Sequence, residues 1–486
     1  MTFFSRLIVP VVLAAAAPAL LFAAPAEGRG AVNEGALNEA ALNEGANGAR
    51  DDDALARALV DSVTAEGAMR HLAAFQRIAD GADGTRAAGT PGHERSARYA
   101  GELLEEAGYD VTYQRFDFPY REAVTQRLTA LDPEPRDIPV RALTYTTSTP
   151  PGGVEAELAP AGTGCAAEDF DPAAHRGRIA LIERGTCTFA QKEANAASAG
   201  ALGALVVNNT PGALSGSLGG PDDSTIPVGG LTREDGAALA DAVERGERAG
   251  ETVEVRLELE EVAERRETFN VLAESPGGDP DHTVMAGAHL DSVPAGPGVN
   301  DNGSGSAGVL ETALRLAEAD PRGRHPHRVR FALWSAEEFG LLGSEHYVDG
   351  LSRTERDAID VYLNFDMIGS PNHGHFVHEG TPGVAADISA FLGERGETTR
   401  PAALDGRSDY APFVAAGIPV GGTFTGAEGI KSAADAEVWG GEAGEPHDPC
   451  YHAACDTLEN VSPTALGTHA KVIAHLVGGY AWRLPE

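Results

Sequence analysis

From about residue 268 onward, short apolar runs alternate with stretches of helical periodicity, and reactive side chains sit where the apolar runs end. The runs 283–288, 329–335, 361–365 and 418–421 read as strands. The stretches 304–319, 341–348, 385–395, 409–416 and 464–482 read as helices. Such alternation predicts an α/β fold, a three-layer sandwich around a mainly parallel mixed sheet. In sheets of this kind chemistry gathers beyond the carboxyl ends of the strands.

The sequence before residue 268 divides differently. Arg6 followed by an apolar run to Ala24 and the Ala24-Pro25-Ala26 triplet reads as a secretory signal peptide over 1–26. Residues 27–54 repeat Asn-Glu-Gly/Ala-Ala-Leu units and end in an acidic run, which reads as a disordered linker or pro-segment. Folded sequence is expected from Leu55. Thr90-Pro91 reads as a helix start, with Thr as cap and Pro at the first position. From 120 to 262 Pro and Gly are frequent and short β-like runs dominate, with one helical stretch at 190–201. That segment reads as a small β-rich domain inserted into a catalytic domain made of 55–119 and 263–486.

Five clusters carry the chemistry. They are His289-Leu290-Asp291, Asn300-Asp301-Asn302-Gly303, Ala336-Glu337-Glu338, Asn364-Phe365-Asp366 and Cys450-Tyr451-His452 through Cys455-Asp456. Each alone reads as an ordinary cap or ion pair. Together they place histidines and carboxylates on one rim of one sheet, where burial is costly unless cations compensate. Two histidines and three carboxylates without thiolate suit zinc, and their number fits two ions sharing one bridging carboxylate. No His-Glu-x-x-His occurs, which excludes the common single-zinc helix.

Composition narrows the partners. Lys and Arg number 37 against 73 Asp and Glu, a formal net charge of −36. So acidic a chain repels phosphate backbones, so nucleic acid is not expected as a partner. The four cysteines, exported, are expected to form two disulfides.

The motifs also resemble a family. The stretches 288–293, 298–305, 336–340, 363–370, 406–409 and 450–452, in that order, are similar to those of secreted di-zinc aminopeptidases of the aminopeptidase Y and bacterial leucyl aminopeptidase kind. By that resemblance His289, Asp301 and Asp366 hold one zinc. Asp301, Glu338 and His452 hold the other, with Asp301 bridging. Glu337 is implied as general base, Asp291 as the residue that orients His289, and Tyr451 as the oxyanion donor. Arg407 and Phe424 match positions of the substrate pocket, and Met367 and Ile368 add apolar surface near it. The peptide bond between Asp301 and Asn302 matches one that is cis in the family. Gly164-Cys165 through Cys187-Thr188-Phe189 and Lys192 resemble a protease-associated (PA) domain, which implies the pairs Cys165–Cys187 and Cys450–Cys455.

The chain departs from the family in two places. Gly467 and Lys471 stand where close relatives have calcium-binding Asp residues, so calcium activation is not expected. Tyr410 replaces a usual His. The implied partners are peptides with a free N-terminus, cleaved by a secreted monomer that leaves the membrane after signal cleavage. The anionic rim would compensate an α-ammonium group and repel a carboxylate. Met367, Ile368 and Phe424 would favour Leu, Met or Phe. A carboxypeptidase or a single-zinc glutaminyl cyclase could use the same scaffold. So could a binding ectodomain that has lost its ligands, but here all five ligands and Glu337 are present.

Overall fold

A computed structural model describes residues 54–485, apart from 133–134, 211, 213, 215 and 221–223. The expected leader over 1–26 and the acidic stretch up to residue 53 lie outside the described residues. A helix over 54–62 opens the described chain, next to the expected start at Leu55.

Sheet order follows from which strands are apolar on both faces. Asp279–His289 is central, flanked in parallel by Ile359–Phe365 on one side and His327–Trp334 on the other. Val420–Phe424 continues the parallel set beyond Ile359–Phe365. Phe376–His378 and Glu254–Glu274 join antiparallel, so the sheet is mixed. Side-chain alternation sorts the layers. On His327–Trp334, Val329, Phe331 and Leu333 face a core formed with helices Ala65–Asp80, Pro91–Glu106, Gly303–Ala319 and Pro463–Tyr480. Ala332 and Trp334 face the other way, with Tyr347, Tyr362 and Phe413. Each large side chain buried this way stabilises the fold by roughly 1.5–3 kcal/mol.

Two devices bring helices close to the sheet rim. The Asn302 side chain caps Gly303–Ala319 by accepting from Gly305 N at 2.9 Å. Gly305 then lies so near the end of Ile359–Phe365 that a Cβ there would meet Phe365 O at 2.1 Å. Only glycine allows this approach, which sets Asp301 beside Asp366. Thr90 likewise caps Pro91–Glu106 by accepting from His93 N at 3.4 Å, with Pro91 at the first position.

The inserted segment differs from its sequence reading in two respects. Its strands Val154–Pro160, Ile179–Glu183, Gly203–Val207 and Val228–Leu231 run parallel in that order. Beside the helix Phe189–Ser198 stands a second one, Arg233–Ala249. It buries only Gly236, Leu239 and Val243, and Leu239 and Val243 are its only large apolar residues among many charged ones. The run near 253–259 extends to Glu274 as one 21-residue strand, paired along its length with Asp110–Ala130. Its middle escaped notice because residues 260–267 are mostly charged. The two strands form a continuous stem: near Leu272 the stem belongs to the main sheet, and near Leu257 it pairs with Val154. Positions 120 and 262 fall inside it.

Candidate active site

Three parallel strands deliver the first groups. Asp279–His289 ends on His289, Asp366 follows Ile359–Phe365, and Glu337-Glu338 follow His327–Trp334. Asp301 arrives from the turn before Gly303–Ala319, after a cis peptide to Asn302. His452 arrives from the loop closed by the disulfide Cys450–Cys455. The other bridge joins Cys165 to Cys187 in the insertion.

These five residues converge as two triads that share Asp301. Nε2 of His289 lies 3.3 Å from Asp301 Oδ1 and 3.4 Å from Asp366 Oδ1. Nε2 of His452 lies 3.2 Å from Asp301 Oδ2 and 3.0 Å from Glu338 Oε2. Within each triad the potential ligand atoms all lie within 4.8 Å of one another. Nε2 of His289 also has Glu337 Oε2 at 3.8 Å, so one ring nitrogen faces three carboxylates. A single proton cannot serve them all. Glu338 Oε1 and Asp366 Oδ1 are buried without any hydrogen-bond partner. Unpartnered buried carboxylate oxygens beside two imidazoles are a donor set that fits divalent zinc.

Electrostatics agree with a site built around positive charge. Burial opposes charge on His289, yet Glu337, Asp366 and Asp301 outweigh it and hold its pKa well above the ordinary range. His452 behaves alike, with Glu338 and Asp301 overcoming burial. Burial pushes Glu337 well above the usual carboxylate range, and neighbouring Asp409, Glu338 and Asp366 push it further. Burial also raises Asp409 and Asp291, each to about 7.

The structure refines the part played by Asp291. Nδ1 of His289 donates to the main-chain oxygen of Asp291 at 3.1 Å, while the nearer carboxylate oxygen is 3.7 Å away. The carboxylate instead accepts from Glu337 N and Glu338 N at 3.3 and 3.4 Å. Tyr451 stacks on His452 with ring centroids 3.9 Å apart, and its hydroxyl accepts from Arg407 at 3.0 Å. Arg407 also pairs with Glu428 at 3.0 Å. Beside the triads opens a cavity of about 690 Å³, lined by Met367, Phe376, Phe424, Tyr410 and Arg407 among others. Ile368 is not among them: it is fully buried, packed in the core against the helix Gly303–Ala319.

Several supporting groups escaped the sequence reading. Arg86 is fully buried, and its guanidinium donates to the carbonyls of Leu290, Pro297 and Gly298, tying together the segments that bear His289 and Asp301. A lone Arg in a loop gives no sequence signal. Asp456 accepts from the main-chain N–H of both Asn300 and Asp301 at 2.9 Å. It closes the cluster 450–456 singled out in the sequence, which assigns it no role. Ser408, inside a motif already noted, donates to Asp366 Oδ2 at 2.7 Å. His378 lines the cavity with both ring nitrogens unpartnered.

Comparison with known proteins follows the same lines. Residues 270–477 match the model of peptidase family M28, and residues 154–239 match that of the PA domain. The chain is 42% identical over 449 residues to a probable lipoprotein aminopeptidase, LpqL, of Mycobacterium tuberculosis, covering 87% of this chain and 86% of that protein. The chain belongs to peptidase family M28. This M28 peptidase is also 40% identical over 410 residues to leucine aminopeptidase 2 of Trichophyton rubrum, covering 82% of this chain and 80% of that one. Among solved structures it resembles BSAP, a zinc aminopeptidase from Bacillus subtilis, at 29% identity and a TM-score of 0.64, over 85% of this chain and 94% of that one. Among the described residues, no helix of the M28 peptidase is long and apolar enough to cross a membrane.

Proposed function

We propose that this M28 peptidase is a secreted, co-catalytic di-zinc aminopeptidase that removes N-terminal residues, preferably large apolar ones, from peptides. The observation that carries the reading is Asp301, which turns one carboxylate oxygen toward each histidine. His289, Asp301 and Asp366 would hold one ion, and Asp301, Glu338 and His452 the other. Relatives named as aminopeptidases, and one structure named as a zinc aminopeptidase, support the reaction and the metal. Bound zinc supplies Lewis acidity, polarising the scissile carbonyl and easing deprotonation of a water.

The chain's own residues do the rest. Glu337 takes a proton from the attacking water and returns it to the leaving amine. Asp291 fixes the Glu337–Glu338 main chain through its carboxylate and His289 through its carbonyl. Arg407 donates to the Tyr451 oxygen, which leaves the hydroxyl hydrogen free for the oxygen that gains charge in the reaction.

Polarity and specificity follow from the rim. Its carboxylates compensate a substrate α-ammonium group and repel a carboxylate. Met367 and Phe424 give the cavity apolar wall near the triads. The disulfides Cys165–Cys187 and Cys450–Cys455 suit an oxidising, extracellular setting. The working unit is a monomer, its catalytic domain formed by 55–119 and 263–486 around the inserted 120–262. Calcium has no part in the proposal: Gly467 packs on Ala65, and neither it nor Lys471 offers a side-chain oxygen.

The test compares Leu-p-nitroanilide with its acetylated form. Acetylation should lower kcat/KM at least about a hundredfold, because it leaves rim carboxylates without their cationic partner. Comparable rates, or release of residues from the carboxyl end, would overturn the assignment.

A further inference from the structure

The loop that bears Glu337 and Glu338 is held in an uncommon shape. Ala336 and Leu341, at its two ends, both adopt left-handed backbone conformations, with φ of 57° and 62°. Neither is glycine, so this backbone persists only because its surroundings enforce it. Inside the loop, Gly340 N and Leu341 N both donate to Glu337 O at 2.8 Å. From the sheet side the Asp291 carboxylate accepts from Glu337 N and Glu338 N.

A second support comes from the stem of the insertion. Phe116, Phe118 and Tyr120 alternate along Asp110–Ala130 and so share one face of it. They form a small separate apolar cluster with Ala88 and Ala336, against which Phe339, Leu342 and Val262 pack. Phe339 directly follows Glu338. Its ring lies 5.1 Å from that of Phe118, edge to face, and 5.2 Å from that of Tyr120. Tyr120 is itself pinned, with the Arg266 guanidinium 3.3 Å above its ring and its hydroxyl donating to Glu122 at 2.6 Å. Phe118 and Tyr120 are each only 1% exposed. Beyond Tyr120 the ladder shifts register between Ala123 and Thr125, and Val124 turns out to 48% exposure. The aromatic contact therefore ends where the stem leaves the catalytic half.

We infer that Phe118 and Tyr120 are positioning residues for the reaction: the insertion's stem clamps Phe339 and thereby sets where Glu337 points. The inference rests on the reading of Glu337 as base and Glu338 as ligand. It makes the stem part of the catalytic apparatus, whatever the outer part of the insertion does. Aromatic edge-to-face pairs are specific in geometry, so the clamp fixes a direction as well as filling space.

The test uses full-length variants with a Leu-p-nitroanilide substrate, zinc analysis and thermal unfolding. Tyr120→Ala should lower kcat about 10–100-fold, since displacement of a catalytic group by about 1 Å can cost on the order of 10². KM should stay within about threefold and zinc content unchanged. Tyr120→Phe, which keeps the ring, should restore kcat, and Val124→Ala should match the wild type. A folded Tyr120→Ala protein with kcat within about twofold of wild type would overturn the inference, as would Tyr120→Phe equally impaired. If Tyr120→Ala does not fold, Phe339→Leu at the half-buried end of the clamp carries the same expectation, and unchanged kcat there would overturn it. Glu337→Gln is run alongside. If Glu337→Gln keeps full activity, the base assignment falls and the inference with it. If Glu337→Gln is inactive while Tyr120→Ala is fully active, the inference alone falls.

Discussion

Ser408 donates its hydroxyl to Oδ2 of Asp366 at 2.7 Å and leaves Oδ1 of that carboxylate without a partner, facing His289. The hydroxyl in turn accepts from Asn364, whose side-chain oxygen accepts from Tyr362, whose hydroxyl accepts from the Trp334 indole. One oxygen is thus fixed by the protein and the other presented. Ser408→Ala should weaken metal binding about 10–100-fold, the usual worth of a partner behind a ligand. Zinc titration with a competing chelator measures this. Unchanged affinity would show that Asp366 is oriented by other contacts.

Adjacent Glu337 and Glu338 should separate by function. Glu337→Ala should lower kcat by about 10²–10⁴, the range for a general base, and keep its zinc. Glu338→Ala should lose zinc, because Glu338 Oε2 sits 3.0 Å from His452 Nε2 in the second triad. Metal analysis of the two purified variants decides the matter. The reverse pattern would exchange their roles.

Arg86 predicts a purely structural loss. Its burial lowers its pKa to about 10, still well above neutrality, so it is a buried cation surrounded by Asp291, Asp456, Asp301 and Glu338. Arg86→Leu removes the charge and leaves the carbonyls of Leu290, Pro297 and Gly298 without their donor. Unfolding in urea should show a loss of roughly 3–5 kcal/mol. A loss under 1 kcal/mol would mean that water replaces the guanidinium readily.

Acid should destabilise the fold through buried histidines. Burial lowers His378 to about 4 and His93 to about 3, with Arg86 adding to the effect on His93. Both are neutral when folded, whereas in the unfolded chain they take up protons below about pH 6.5. The unfolded state then binds more protons, so this stability is complete above pH 6.5 and falls as pH drops toward 4. The loss is of the order of 3 kcal/mol for His378. His378→Phe should remove its share, because neither ring nitrogen has a partner to lose. Denaturation midpoints from pH 7.5 to 4.5 should therefore fall less steeply in the variant than in the wild type. Parallel curves would contradict the neutral, unpartnered histidine.

Much of this was legible because strand ends are. The runs leading to His289, to Glu337 and to Asp366 are short and apolar, and the polar residue that breaks each one marks the rim. The helix after Asp301 was expected from Ser304, with Asp301 as its candidate cap, whereas Asn302 caps it. What was not legible depends on tertiary contact. Arg86 acts through main-chain oxygens that no spacing reveals. The helix Arg233–Ala249 hides because Leu239 and Val243 are its only large apolar residues, set among many charges. The unbroken stem hides because the charged middle of Glu254–Glu274 does not look like a strand until its partner Asp110–Ala130 is seen. Met367 and Ile368 are neighbours in sequence, yet only Met367 reaches the cavity. Asp291 was expected to orient His289, and it does so through its main-chain oxygen, which makes a shorter contact than its carboxylate.

The central claim, two ions bridged by Asp301, is tested most directly by counting zinc in the purified protein. Elemental analysis should give two zinc ions per chain in the wild type, falling to one or fewer in Asp301→Ala, which removes an oxygen from both triads at once. One zinc or none in fully active wild-type protein would contradict the account.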